Sequence, residues 1–144
     1  MKTHLNFATR DLSKSVDFYR ALLNAEPAKR YEDYALFLTD DPGLELALDK
    51  YTNVTVNESA HYGIAAATVE SVNAAVGRLK SAGLETDVQI DDVCCYARQT
   101  KVWTTDPDGR RWEFYTVLEE TEERDNAATQ CCAGADEKTT CCAR

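Results

Sequence analysis

Residues 2–8 alternate: Leu5 and Phe7 fall on one face, His4 and Asn6 on the other, which predicts a strand. Residues 9–13 turn the chain, with Asp11 or Ser13 placed to cap a following helix. Across residues 15–24 the period changes. Val16, Tyr19, Leu22 and Leu23 recur at helical spacing, and Pro27 bars simple continuation. Residues 34–39 and 44–48 read as strands around the turn Asp40-Asp41-Pro42-Gly43. A polar loop follows over residues 49–59.

The pattern then restarts. Residues 61–68 read as a strand, and 69–82 as an amphipathic helix on Val72, Ala75, Val76 and Leu79. Gly83 stands where a helix ends in a left-handed residue. Residues 85–90 and 99–105 are strands, and the turn Asp106-Pro107-Asp108-Gly109 leads into a closing strand over 110–118. The order of strand, helix and three strands is thus read twice, beginning at His4 and His61, with two of the three closing strands of the first copy placed by the apolar pattern. The expected fold class is α+β, built from two βαβββ modules at about residues 2–50 and 60–118 of one domain, 1–118. Residues 119–144 are acidic and polar, carry little that can be buried, and are expected to form a flexible cysteine-containing tail.

A length of 144 residues allows a core without disulfides. The net charge of -9 argues against nucleic acid or an anionic membrane surface as partner. No apolar run approaches the roughly 18 residues of a membrane span. The opening residues are too polar for a signal peptide, so a cytoplasmic protein is expected.

The six cysteines fall as three adjacent pairs: Cys94-Cys95, Cys131-Cys132 and Cys141-Cys142. A framework that staples a fold distributes its cysteines through the core, and these do not. Adjacent thiols suit a soft element such as arsenic(III), cadmium, zinc or copper(I). Cys94-Cys95 also reads as a chance pair or a strained vicinal disulfide. Asp91 and Asp92 beside it oppose thiolate formation, whereas Arg98 and Lys101 favour it. Tyr96, Arg98 and Lys101 are accessory candidates. The stretch falls between predicted strands, as a loop able to bind substrate when open and close inward.

The chain has two histidines, one opening each module, and Glu113 lies on the closing strand. A histidine on a strand is more often structural than a ligand, but the equivalent placement of these two strengthens the case. Two imidazoles and a carboxylate with open positions match the ligand set of non-haem Fe(II) oxygen-using sites, and Zn(II), Ni(II) or Mn(II) fit it as well. Glu45 is a further carboxylate on a strand, ranked below these three.

The paired modules, the opening histidines and the Asp106-Pro107-Asp108-Gly109…Glu113 signature resemble the vicinal oxygen chelate superfamily over about residues 2–118. It includes glyoxalase I, fosfomycin and bleomycin resistance proteins and extradiol dioxygenases. The segments 2–7, 12–19, 93–97 and 101–109 are similar, more narrowly, to the carbon–arsenic lyases and cadmium-induced relatives. The resemblance implies curved sheets enclosing a metal, with His4, His61 and Glu113 as its ligands. It further implies Fe(II)- and dioxygen-dependent cleavage of the carbon–arsenic bond of methylarsenite or reduced aromatic arsenicals, yielding arsenite. Cys94 and Cys95 would hold the arsenic. Cys131, Cys132, Cys141 and Cys142 would bind soft ions with no fixed part in turnover.

Two alternatives remain. One is another enzyme of the fold, a glyoxalase or a fosfomycin thiol transferase, whose substrates call for basic residues of which no cluster is expected near the metal strands. The other is a protein that sequesters cadmium or arsenite. The expected partner is a small molecule, and the chain a monomer or homodimer.

Overall fold

The computed structural model of the chain describes residues 1–125. The first module holds β1 (Thr3–Thr9), α1 (Leu12–Leu23), β2 (Lys29–Arg30), β3 (Tyr34–Asp40) and β4 (Gly43–Lys50). The second holds β5 (His61–Ala65), α2 (Val69–Ser81), β6 (Asp87–Cys94), β7 (Ala97–Thr105) and β8 (Arg111–Glu120). Each forms its own four-stranded sheet, in the orders β1-β4-β3-β2 and β5-β8-β7-β6. In both, the first strand runs parallel to the last and the remaining pairs are antiparallel. The duplicated α+β architecture is therefore present. β2, only two exposed residues long, is the strand the pattern could not reveal.

Local chemistry sets the helix ends. The Asp11 carboxylate accepts from the Lys14 backbone N–H at 3.1 Å, so α1 starts at Leu12, three residues earlier than its apolar spacing suggests. α2 begins at its cap Thr68 and ends on Gly83 at φ 72. The Leu84 N–H reaches the Leu79 carbonyl and the Gly83 N–H the Lys80 carbonyl, the paired bonds of a Schellman ending. Among the described residues no helix is long and apolar enough to cross a membrane.

One core joins the modules. Phe7, Val16, Tyr19, Phe37 and Leu46 of the first are buried in one cluster with Ile64, Val72, Leu79, Val102 and Trp112 of the second. Rings meet across the seam: Phe7 and Tyr62 have centroids 5.0 Å apart, and Tyr19 and Trp112 5.9 Å. A buried polar group crosses beside them. The Tyr19 hydroxyl donates to Asp106 Oδ2 at 2.8 Å, and Trp112 Nε1 donates to that hydroxyl at 3.3 Å. Arg110 donates to Asp106 Oδ2 at 3.0 Å and to the Ala8 carbonyl at 2.6 Å, with its guanidinium 4.6 Å over the Phe7 ring. Because Phe7 and Tyr62 face this core, strand alternation sends His4 and His61 to the exposed faces of their sheets.

Burial, and next the Asp106 charge, push the Tyr19 hydroxyl well above its ordinary pKa. In the unfolded chain it ionises near pH 10. A raised native pKa gives stability that is complete below that point and lost as pH rises beyond it. Tyr19→Phe should therefore lower stability at neutral pH by about 1–3 kcal/mol, since a buried acceptor loses its donor. It should also flatten the alkaline loss. Denaturant midpoints measured from neutral pH upward check both.

Candidate metal centre and thiol clamp

β1 and β4 pair in parallel with His4 directly opposite Glu45, and His4 Nδ1 stands 3.5 Å from Glu45 Oε2. The second module reaches a similar spacing by a diagonal. His61 lies opposite Arg111 and Gly63 opposite Glu113, yet His61 Nε2 is 3.6 Å from Glu113 Oε1. Gly63 makes this possible. A Cβ there would come within 3.1 Å of Glu113 Oε1, so the bare backbone gives the carboxylate room to lie across β5. Sequence reasoning missed Gly63; a glycine inside a predicted strand was the available signal.

Around Glu113 sits a basic and aromatic group. Lys101 is 3% exposed, and its Nζ lies 4.0 Å from Glu113 Oε2. Trp103 stands opposite Glu113 in the β7–β8 ladder. The Arg111 guanidinium packs 4.5 Å over the Trp103 ring, and His61 meets the same ring edge-on at 5.2 Å. Burial raises the Glu113 carboxyl above its usual pKa, while Lys101, then His61 and Arg111, oppose that shift. The expectation of no basic cluster near the metal strands is thus corrected. Lys101 and Arg111 are not sequence neighbours, and only the strand ladder brings both to Glu113.

Two ligands about 2.1 Å from one tetrahedral ion stand about 3.4 Å apart, so each histidine–carboxylate pair has the spacing of two ligands on one metal. Nitrogen and carboxylate donors suit Fe(II), Zn(II) or Ni(II). Within one chain, however, the pairs stay separate. Among the described residues no group of three or more His, Cys, Asp or Glu side chains converges on a common point. His4 keeps company with Glu45 rather than with His61 and Glu113. The described residues of one chain therefore present two halves of a site.

Cys94 ends β6, and Cys95 and Tyr96 form the two-residue turn into β7, at φ 58 and 67. Two successive positive φ values are those of a type I′ hairpin turn. The reduced Cys94 and Cys95 sulfurs lie 3.2 Å apart. The expected mobile loop is in fact a tight hairpin held from both sides. Gln99 Nε2 donates to the Cys94 carbonyl at 3.0 Å, and the Thr121 N–H donates to the Tyr96 carbonyl at 2.8 Å. The chain continues past β8 along this hairpin, with the Tyr96 N–H reaching the Arg124 carbonyl and Cys94 bridging Asp125. Ordered structure thus extends beyond residue 118, where the domain was expected to end.

Arg98 binds the Asp91 and Glu119 carboxylates, cancelling charge that would oppose a nearby thiolate. Lys101 is committed to Glu113 and has no such part. Tyr96 is exposed beside the sulfurs. Cys131, Cys132, Cys141 and Cys142 lie outside the described residues.

The clamp and Glu113 occupy different ends of one sheet. Cys94 pairs with Ala97, and Glu113 pairs with Trp103. At about 3.3 Å per residue, the run of β7 between those partners covers about 20 Å. A small closing movement of the hairpin does not span that distance. A groove of about 610 Å³, lined by residues including Leu22, Ala67, Ala74 and Arg78, shares no residue with the clamp or with either metal pair.

Residues 3–114 match the profile of the Glyoxalase/Bleomycin resistance protein/Dioxygenase superfamily. The chain is 38% identical over 142 residues to a trivalent organoarsenical cleaving enzyme of Bacillus sp. (strain MD1), covering 96% of this chain and 88% of that one. It is 42% identical over 136 residues to the cadmium-induced protein CadI of Mycobacterium tuberculosis, covering 86% and 88%. In fold it is similar to the fosfomycin resistance protein FosX of Listeria monocytogenes, with a TM-score of 0.63 at 21% identity over 79% of this chain and 90% of that one.

Gly63→Ala should weaken metal binding by about tenfold or more, as displacing a ligand's supporting contact does, while leaving the fold intact. A Co(II) titration with circular dichroism as control checks this, and unchanged affinity would remove Glu113 from the ligand set. Lys101→Met should move the acid limb of metal binding to higher pH. It removes the foremost influence holding the Glu113 carboxyl down, so protons compete with metal at a higher pH.

Proposed function

The chain belongs to the Glyoxalase/Bleomycin resistance protein/Dioxygenase superfamily, and from that premise we propose that it cleaves the carbon–arsenic bond of trivalent organoarsenicals with Fe(II) and dioxygen, releasing arsenite. The observation that carries this reading is the pair of reduced thiols 3.2 Å apart, half-buried at Cys94 and exposed at Cys95, in a chain that also presents two histidine–carboxylate pairs. Similarity to the trivalent organoarsenical cleaving enzyme of Bacillus sp. (strain MD1) supports it. Thiols of this kind stay reduced in the cytoplasm, where we place the reaction.

Cys94 and Cys95 take up the substrate by exchange. Each forms an arsenic–sulfur bond as an arsenic–oxygen bond breaks, and each thiol proton leaves in a water molecule. The two sulfurs and the organic carbon then fill the three bonds of arsenic(III). His61 and Glu113 would supply two ligands to the iron. His4, with Glu45 beside it, would complete the set from a second copy of the chain, since the described residues of one chain bring together only half-sites. Iron bound there supplies electron transfer to dioxygen. Lys101 favours the ionised form of Glu113 that a metal requires. The same pairing of copies carries a clamp to a metal half-site that its own chain keeps about 20 Å away along β7. The chain then acts as a homodimer.

A second reading, thiol transfer to an oxyanionic substrate, draws on Lys101 and Arg111 beside Glu113. Lys101 is almost wholly buried and committed to Glu113, which weighs against it.

Iron-loaded protein given methylarsenite in air should release arsenite, measured by chromatography with elemental detection. No release rejects the lyase, and a thiol adduct of an oxyanion in its place selects the second reading. Cys94→Ser should abolish turnover and keep the iron. Mixed His4→Ala and Glu113→Ala chains should together recover about a quarter of wild-type activity, because half of random dimers carry one intact site. No recovery after subunit exchange would place all three ligands in one chain.

A further inference from the structure

The groove of about 610 Å³ has no part in the chemistry above, and residues of both modules line it. Leu22 at the end of α1 and Asp41 in the β3–β4 turn come from the first module. Phe114 of β8, with Ala74 and Arg78 of α2, comes from the second. Ala74 and Arg78 are four positions apart and so share one face of their helix. The volume falls within the range of small-molecule sites, about 300–1,000 Å³.

Arg78 gives the groove its charge. Its side chain is half-buried. Nε donates to the Ala21 carbonyl at 3.1 Å and Nη2 to the Leu22 carbonyl at 3.3 Å. Those carbonyls end α1 and carry about half a negative charge, so part of the guanidinium charge stays uncompensated. Burial lowers the Arg78 pKa, and no carboxylate among the described residues acts to raise it again. A guanidinium has five N–H groups, of which two are engaged here. One N–H on Nη2 and both on Nη1 are left, and such a fork suits the two oxygens of a carboxylate. Asp41 is exposed on the same groove, and its charge works against a ligand that carries more than one negative charge. Leu22, Ala74 and Phe114 offer the ligand only apolar surface.

We propose that this groove binds an organic monocarboxylate with a compact apolar body. The carboxylate accepts from the remaining N–H groups of Arg78, and the body rests against Ala74 and Phe114. The site lies apart from the thiol clamp and both histidine–carboxylate pairs, and it does not depend on the arsenical reading. A ligand there touches both modules, so the loaded protein unfolds at a higher temperature.

The test uses the full metal-free chain with benzoate as probe, and benzamide and phenyl phosphate for comparison. Benzoate should bind saturably and shift the amide NMR signals of Ala74 and Arg78. Benzamide has the same body without the charge and should bind about tenfold more weakly, the loss of a charge-assisted pair. Phenyl phosphate, with its second charge, should also bind more weakly than benzoate. Arg78→Gln should raise the benzoate dissociation constant by about tenfold for the same reason. That variant also loosens the end of α1, so Ala74→Leu serves as the second. It fills the groove, leaves the Arg78 bonds in place, and should weaken benzoate by about tenfold as well. No saturable binding of benzoate overturns the proposal. So do equal affinity for benzamide, tighter binding of phenyl phosphate, shifts centred on His61 and Lys101, or unchanged benzoate affinity in Ala74→Leu. Since no turnover is read, failure of the lyase assay and failure of this binding test are separate results.

Discussion

The junction between the two modules is built around one buried carboxylate. Asp106 takes the Tyr19 hydroxyl and the Arg110 guanidinium on one oxygen, and the backbone N–H groups of Asp108 and Arg110 on the other. Tyr19 is on the helix of the first module, and Asp106 and Arg110 are in the β7–β8 turn of the second. Removing the charged partner of such a buried pair, here Arg110, typically costs about 3–5 kcal/mol. The aromatic seam of Phe7, Tyr62 and Trp112 supplies the apolar part of the same junction. These interactions turn Phe7 and Tyr62 inward, which by strand alternation turns His4 and His61 outward. The junction that makes one domain of two modules is therefore also what leaves each histidine–carboxylate pair on an open face.

Much of this was legible in the sequence. Change of period between strand and helix gave both copies, Gly83 marked its helix end, and Asp106-Pro107-Asp108-Gly109 marked its turn. What the sequence could not show depends on register. His4 and Glu45 are forty-one positions apart and directly opposed. His61 and Glu113 meet across Gly63, where the missing side chain leaves room. Lys101, Trp103 and Arg111 surround Glu113 through the ladder, not through spacing along the chain. β2 is too short to carry any periodicity.

The cysteines show the opposite case. Their adjacency made them conspicuous, but adjacency says nothing about backbone geometry. Asp-Asp-Val-Cys-Cys-Tyr lacks the glycine or asparagine that usually signals a type I′ turn, so the stretch reads as a loop. The structure makes the turn anyway, with Cys95 and Tyr96 in the left-handed region and the segment after β8 bonded alongside. Stiffness of this kind pre-sets the spacing of the two sulfurs, so less freedom is lost when an ion is captured.

Left-handed φ on residues other than glycine costs on the order of 1 kcal/mol each. Cys95 carries that strain and also carries the sulfur. A glycine in its place would relieve the backbone and delete the proposed ligand in the same step. Heat-resistance screens of random variants, blind to arsenic, would thus enrich chains whose clamp has been erased. In such a screen, a position that gains stability would be among the first to lose the proposed chemistry.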